Sequence, residues 1–183
     1  MGKGIVDRLK REFDIAEEWI CYELHPETPP HGKRLDTLFP ESEMERMLEN
    51  LRAAGQPYGI SFSRLAVIAN SRLAIEASEF ARDKGRFEEA HYRFFKAYFQ
   101  EGLNIGEESV ILRLSEEIGL DRNELKDALD KGLYKLRLQQ SAELARRYRV
   151  TVVPTFIING AHRIVGSQPY RVFQKALGQL QPD

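Results

Sequence analysis

The chain has 183 residues, with 27 Lys and Arg against 28 Asp and Glu and a formal net charge of -1. That balance provides no global field favouring nucleic acid or an anionic membrane as partner, and no apolar run approaches the roughly 18 residues a membrane span needs. At 42% hydrophobic and 30% charged, the composition is that of a water-soluble protein, and the length suits one composite domain with a sizeable insertion.

The first fifteen residues lack the apolar stretch and small-residue cleavage site of a secretory signal, so a cytoplasmic location is the expectation. Ile5, Val6, Leu9 and Phe13 recur at helical spacing with charged residues between them, which predicts an amphipathic helix starting almost at residue 1. The segment 17–24, EEWICYEL, is β-rich and partly alternating, and predicts a strand. HPETPPHGKRLDTLF, 25–39, holds three prolines and a glycine, and predicts an extended loop without regular structure.

From about residue 41 the periodicity is helical for roughly a hundred residues. Met44, Met47, Leu48 and Leu51 share one predicted face; Leu73, Ala77, Phe80 and Ala81 share another behind a predicted Asn70 N-cap. Phe87, His91, Phe94, Phe95 and Tyr98 form an aromatic stripe, and Asp121 with Glu124 reads as a capping-box variant. Tyr134, Leu138, Ala142, Ala145 and Tyr148 mark the last helix of this run. These helices are expected to pack on one another.

VTVVPTFIING, 150–160, then reads as a strand with Pro154 inside it, where the missing N–H and fixed φ are least tolerated. Asn159-Gly160 predicts a two-residue type I′ hairpin between TFII and HRIV. Phe173, Ala176, Leu177 and Leu180 close the chain at helical spacing after Gln168-Pro169.

Several residues invite chemistry and are better explained by packing. Cys21 is the single cysteine, so the chain contains no disulfide, Cys-x-x-Cys pair or cysteine-based zinc site. In the middle of a predicted strand it reads as a small buried hydrophobe. His91 on its aromatic face reads as a packed or half-exposed histidine, and His25, His31 and His162 show no metal-ligand spacing. HYRFFKAYF mixes aromatic and basic residues as single-strand binders do, but its period buries the aromatics. ARRYR, 145–149, reads as a solvated helix end, with an anion or glutathione contact as the lesser alternative. Asn70 and Ser71 read as a helix cap.

Taken together, GKGIVDRLKREF, ELHPETPPHGKRL, the long stretch QPYGISFSRL through EEIGLD, and VTVVPTFIINGAHRIVGSQPYRVFQKAL resemble, in this order and spacing, the DsbA family and its FrnE-like branch. The resemblance runs from residue 3 to about 180. It implies an α/β, thioredoxin-like fold with an inserted all-helical domain and its N-terminal strand missing. The thioredoxin-like part would be discontinuous, 1–40 and 149–183, around an insertion at 41–148.

In that family a first strand leads into Cys-x-x-Cys at the head of the first helix, and Gly-Lys follows shortly afterwards. The helix N-terminus lowers the thiol pKa and activates it. Gly2-Lys3 matches the part just beyond those cysteines, so the expectation is that they lie upstream of Met1 and that the chain is truncated and redox-inactive as it stands. The resemblance makes Val153, Pro154 and Thr155 the cis-proline segment that pairs with substrate backbone. It implies thiol–disulfide exchange with a thiol- or disulfide-containing protein or small thiol, and no cofactor beyond glutathione as substrate or ligand. Kappa-class glutathione transferases and 2-hydroxychromene-2-carboxylate isomerases share the architecture and form the first alternative. A non-enzymatic thioredoxin-like binding module is the second, with a homodimer paired through the exposed sheet edge as one form of it.

Overall fold

A computed structural model describes residues 1–180. The elements in chain order are α1 (Gly2–Leu9), β1 (Lys33–Arg34), α2 (Glu41–Gly55), β2 (Val67–Ile68), α3 (Arg72–Asp83), α4 (Phe87–Phe99), α5 (Glu108–Glu117), α6 (Arg122–Asp130), α7 (Lys135–Arg147), β3 (Thr155–Ile158), β4 (His162–Val165) and α8 (Tyr170–Gly178). Short 3-10 turns occupy Leu35–Thr37 and Gln56–Tyr58. The closing boundary expected at 183 lies outside the described residues.

Two hydrophobic clusters hold the chain. In the first, Ile5 and Leu9 of α1 meet Ile164 of β4 and Phe173 of α8, with Phe13, Ile15, Phe156 and Ile158 packed around them. Phe173 also meets Phe156 edge-on at 4.8 Å between ring centroids. The second lies among α3, α4, α5 and α6, with Ile111, Leu114 and Leu125 fully enclosed. Each such side chain contributes about 1.5–3 kcal/mol on burial. Ala77, Ala81, Ala90 and Ala97 supply the small faces on which α3 and α4 approach each other.

Asp121 caps α6, accepting from the backbone N–H of Asn123 and Glu124 at 2.8 Å each. Only half of the capping box forms, because the Glu124 carboxylate turns away to Lys84. At α3 the cap is one residue later than expected: Ser71 is the N-cap residue, while Asn70 Oδ1 accepts from Arg72 N–H at 2.9 Å.

α2 departs from the expected helical packing. Its Met47 is 44% exposed and its only buried residue is Gly55, so the periodic face of Met44, Met47, Leu48 and Leu51 covers little core. The helical run is also interrupted between α2 and α3, where β2 pairs antiparallel with β1 as Lys33↔Ile68 and Arg34↔Val67. Thus the loop at 25–39 ends in a short ladder rather than remaining wholly irregular.

The segment 17–24 is extended but is not a ladder strand. Residues 15, 17, 19, 21 and 23 turn inward while 16, 18 and 20 are exposed, the period of a strand. Yet among the described residues its backbone makes no backbone–backbone hydrogen bond. The pattern of a strand is present and a neighbour to pair with is not, so the ladder cannot form.

β3 and β4 form the antiparallel hairpin, pairing Thr155↔Val165 through Ile158↔His162. Asn159 and Gly160 have φ of 49° and 69°, the left-handed pair that the sequence predicts. The connection has three residues rather than two: Ala161 N–H closes on Ile158 C=O at 3.1 Å, and pairing resumes at His162. The ladder starts only at Thr155, since Pro154 has no N–H to give, and residues 150–154 lie outside it.

Candidate functional site

The first helical turn of α1 rests on the residues that open the hairpin. A Cβ built on Gly2 would stand 3.2 Å from both Cβ and Cγ of Pro154, and 3.7 Å from Phe156 Cζ. Glycine here lets the head of the helix lie directly on the proline ring. The Val153-Pro154 peptide bond is cis. Pro154 C=O accepts from Gly166 N–H at 2.8 Å, and Thr155 Oγ1 donates to Val152 C=O at 2.6 Å. Val153 is 50% exposed, and neither its N–H nor its C=O takes part in a backbone hydrogen bond among the described residues. Val153, Pro154 and Thr155 therefore lie together at the head of α1, with one free peptide edge at Val153.

Polar residues surround the same helix head. Lys3 pairs with Asp7, with Glu88 of α4 at 3.5 Å and with Glu17 at 3.9 Å. Burial disfavours the Lys3 charge, but the Asp7 hydrogen bond and the carboxylates of Asp7, Glu88 and Glu17 outweigh it and raise its pKa. Glu17 also meets Lys10 at 3.1 Å. Trp19 stacks edge-on to His91, with ring centroids 4.9 Å apart, and His91 is flanked by Phe87 and Phe95. Burial lowers the His91 pKa, and the nearby cations Lys3 and the Met1 amine act in the same direction. The sequence singled out His91 only as a packed aromatic-face residue. Glu17 and Trp19 went unnoticed, although the partial alternation of the segment puts them on the same face as Ile15 and Cys21.

Cys21 lies further along the segment, half-buried and not in a ladder strand. Glu79 and Arg82 both reach it. Burial, followed by the Glu79 charge, pushes its pKa up to about 12. Such a thiol stays protonated at neutral pH and is a poor nucleophile.

The remaining candidates serve structure. Arg163 Nη1 donates to Tyr148 C=O at 2.9 Å and Arg149 C=O at 3.0 Å, closing the end of the ARRYR helix. Asn70 Nδ2 donates to Thr28 C=O and Asn104 Nδ2 to His31 C=O, pinning the HPETPPHG loop to the helical part. His25 pairs with Glu27, and His162 is exposed on β4. Among the described residues no group of three or more His, Cys, Asp or Glu is arranged to hold a metal ion, and no helix is long and apolar enough to cross a membrane.

Comparison with known proteins agrees with this geometry. The Bacillus subtilis protein YwbO is 31% identical over 184 residues, covering 99% of this chain and 90% of its own length. The crystal structure of a "probable DsbA oxidoreductase" from Streptomyces coelicolor superposes with a TM-score of 0.88 at 19% identity, covering 97% of this chain and 82% of that one. A 2-hydroxychromene-2-carboxylate isomerase structure superposes with a TM-score of 0.76, also at 19% identity, covering 97% of this chain and 87% of that one. The family model of the DSBA-like thioredoxin domain matches residues 2–178, and the chain belongs to that family.

Proposed function

We propose that this chain is the body of a DsbA-family thiol–disulfide oxidoreductase whose cysteine pair is carried on residues preceding Met1. The observation that carries this reading is the sheet. The segment 15–23 has the alternation of a strand and no ladder partner, and β3 is paired only with β4. A further strand between them would satisfy both edges and would deliver its following residues to the head of α1, opposite Pro154. The helix dipole and free N–H groups there stabilise a thiolate. The thiolate attacks a substrate disulfide, forming a mixed disulfide and expelling the other substrate sulfur as a thiolate. The second cysteine then attacks the mixed disulfide, leaving the protein oxidised and the substrate reduced. Val153 offers its free peptide edge to the substrate backbone, in the manner of strand addition.

The partner is a disulfide-bearing protein or small thiol. The discontinuous division at 41–148, the FrnE-like branch and the cytoplasmic location stay within the same proposal. The test is dithiothreitol-driven insulin reduction by the product of the native reading frame, compared with the 183-residue chain. Turnover by the former and none by the latter supports the reading; no turnover by either contradicts it.

The likeness to the 2-hydroxychromene-2-carboxylate isomerase structure favours a second reading, a glutathione-binding transferase or isomerase. It differs at the first reactive position, where a serine or similar residue would replace cysteine. Glutathione retention without insulin turnover would select it.

A further inference from the structure

From Leu144 to Pro182 the chain has six Lys and Arg and no Asp or Glu, although its overall formal charge is -1. Four of these cations meet at one corner of the fold. Arg146, Arg147 and Arg149 are exposed at the end of α7. Arg163 of β4 joins them, its Nη1 donating to Tyr148 C=O at 2.9 Å and Arg149 C=O at 3.0 Å. None of the four forms an ion pair among the described residues, whereas Arg72, Arg82, Arg93 and Arg122 of the helical part each have a carboxylate partner. An all-cationic corner repels itself, and the α7 dipole offsets only part of that.

The way α7 ends is a second, independent observation. Arg149 N–H closes on Arg146 C=O at 3.0 Å and Val150 N–H on Ala145 C=O at 2.8 Å, with Arg149 at a φ of 52°. This is the Schellman ending, whose left-handed position favours glycine because a Cβ is strained there. α3, α5 and α6 end in the same motif with Gly85, Gly119 and Gly132 in that place. On α7 the chain instead holds an arginine at a conformational cost, in the middle of the unpaired cations.

We propose that the corner formed by Arg146, Arg147, Arg149 and Arg163 is a docking surface for an acidic segment of a partner protein. All four cations are arginines, whose planar fork pairs a carboxylate at two points where lysine offers only a point charge. The charge of the rest of the chain favours a short acidic segment over a nucleic acid. Residues 41–143 hold more Asp and Glu than Lys and Arg, so a long polyanion leaving the corner meets like charge. The corner is open to solvent, so each pair is weak by itself and the four act together. This docking surface lies beyond the oxidoreductase reading and does not rest on it.

The test is fluorescence anisotropy of a labelled peptide of alternating Glu and Gly, titrated with the full native gene product at low salt. Saturable binding is expected, about ten-fold weaker once physiological salt screens the exposed charges. Replacing Arg146, Arg147 and Arg149 together by Gln should weaken binding by about ten-fold. The same change at Arg11, Arg46 and Arg113, which are exposed elsewhere and unpaired among the described residues, should alter it by less than about two-fold. Absent binding, or equal losses in the two triple variants, overturns the assignment. A single-stranded oligonucleotide of equal charge that binds more tightly than the peptide overturns the choice of partner. Arg149→Gly separates this role from a structural one, and decides the matter if the triple variant does not fold. It relieves the left-handed strain, so it should melt higher than wild type and yet bind the peptide about two-fold more weakly. A stabilised R149G that binds as wild type does overturns the assignment.

Discussion

Gly4 sits against Tyr58 so tightly that a Cβ on the glycine would stand 2.7 Å from the tyrosine Cβ. Together with the contact of Gly2 on Pro154, this fixes α1 between the hairpin and the turn after α2. We predict that Gly4→Val destabilises the chain by about 1–3 kcal/mol, since overpacking a fitted contact outweighs what little helix propensity is gained. Denaturant unfolding measures it, and a variant as stable as wild type would show that α1 is not held there.

Arg82 ties the extended segment to the helical part. It donates to Trp19 C=O at 2.8 Å, pairs with Glu79 at 3.1 Å and covers the Phe87 ring at 3.8 Å. Arg82→Met keeps the stem over Phe87 and leaves the carbonyl and the nine-tenths buried Glu79 short of a partner. The expected loss is about 2 kcal/mol, with Arg137 3.6 Å from Glu79 limiting it. Urea unfolding checks the figure, and a loss within error of zero would remove Arg82 from this role.

Glu76 is buried at 4% exposure on α3 and makes no ion pair among the described residues. Burial raises its pKa against the opposing charges of Arg72 and Lys135. Its folded pKa is thus above the unfolded value, so the native state holds the extra proton. That contribution is fully present below the unfolded carboxyl pKa and is lost as pH rises through the folded one. Glu76→Gln should therefore raise the neutral-pH melting temperature by about 2 °C and remove the part of the stability loss that sets in as pH rises from the unfolded carboxyl pKa through the raised folded one. An E76Q protein that melts lower at neutral pH would contradict this sign.

Half-buried Cys21, with its pKa pushed up to about 12, should react with Ellman's reagent at pH 8 far more slowly than a free thiol, because little of it is thiolate. Its rate should rise steeply in denaturant, and Cys21→Ser should leave disulfide exchange by the native product unchanged. Rapid labelling of the folded chain would contradict the raised pKa of Cys21.

Legibility in the sequence followed the physics of each segment. The period of Leu73, Ala77, Phe80 and Ala81 and the Asp121 cap are local signals, and both features form; Asn159-Gly160 supplies its left-handed pair, but within a three-residue connection rather than the expected two-residue one. The strand predicted at 17–24 shows the limit of such signals, because alternation can be read from one chain whereas a ladder needs two. α2 shows another: helical spacing of Met44, Met47, Leu48 and Leu51 states a face, not that anything covers it. At the candidate site, the contact of Gly2 with Pro154 joins residues at opposite ends of the chain. Composition and spacing could not bring them together; only the order of motifs along the family resemblance did.

The central claim is that a cysteine pair stands at the head of α1, opposite Pro154. The most direct measurement is the thiol count per chain of the native gene product, reduced and unfolded, together with its intact mass. The expected result is Cys21 plus two further thiols and a mass that includes residues before Met1. A mass equal to the 183-residue chain, with Cys21 as its only thiol, would contradict it.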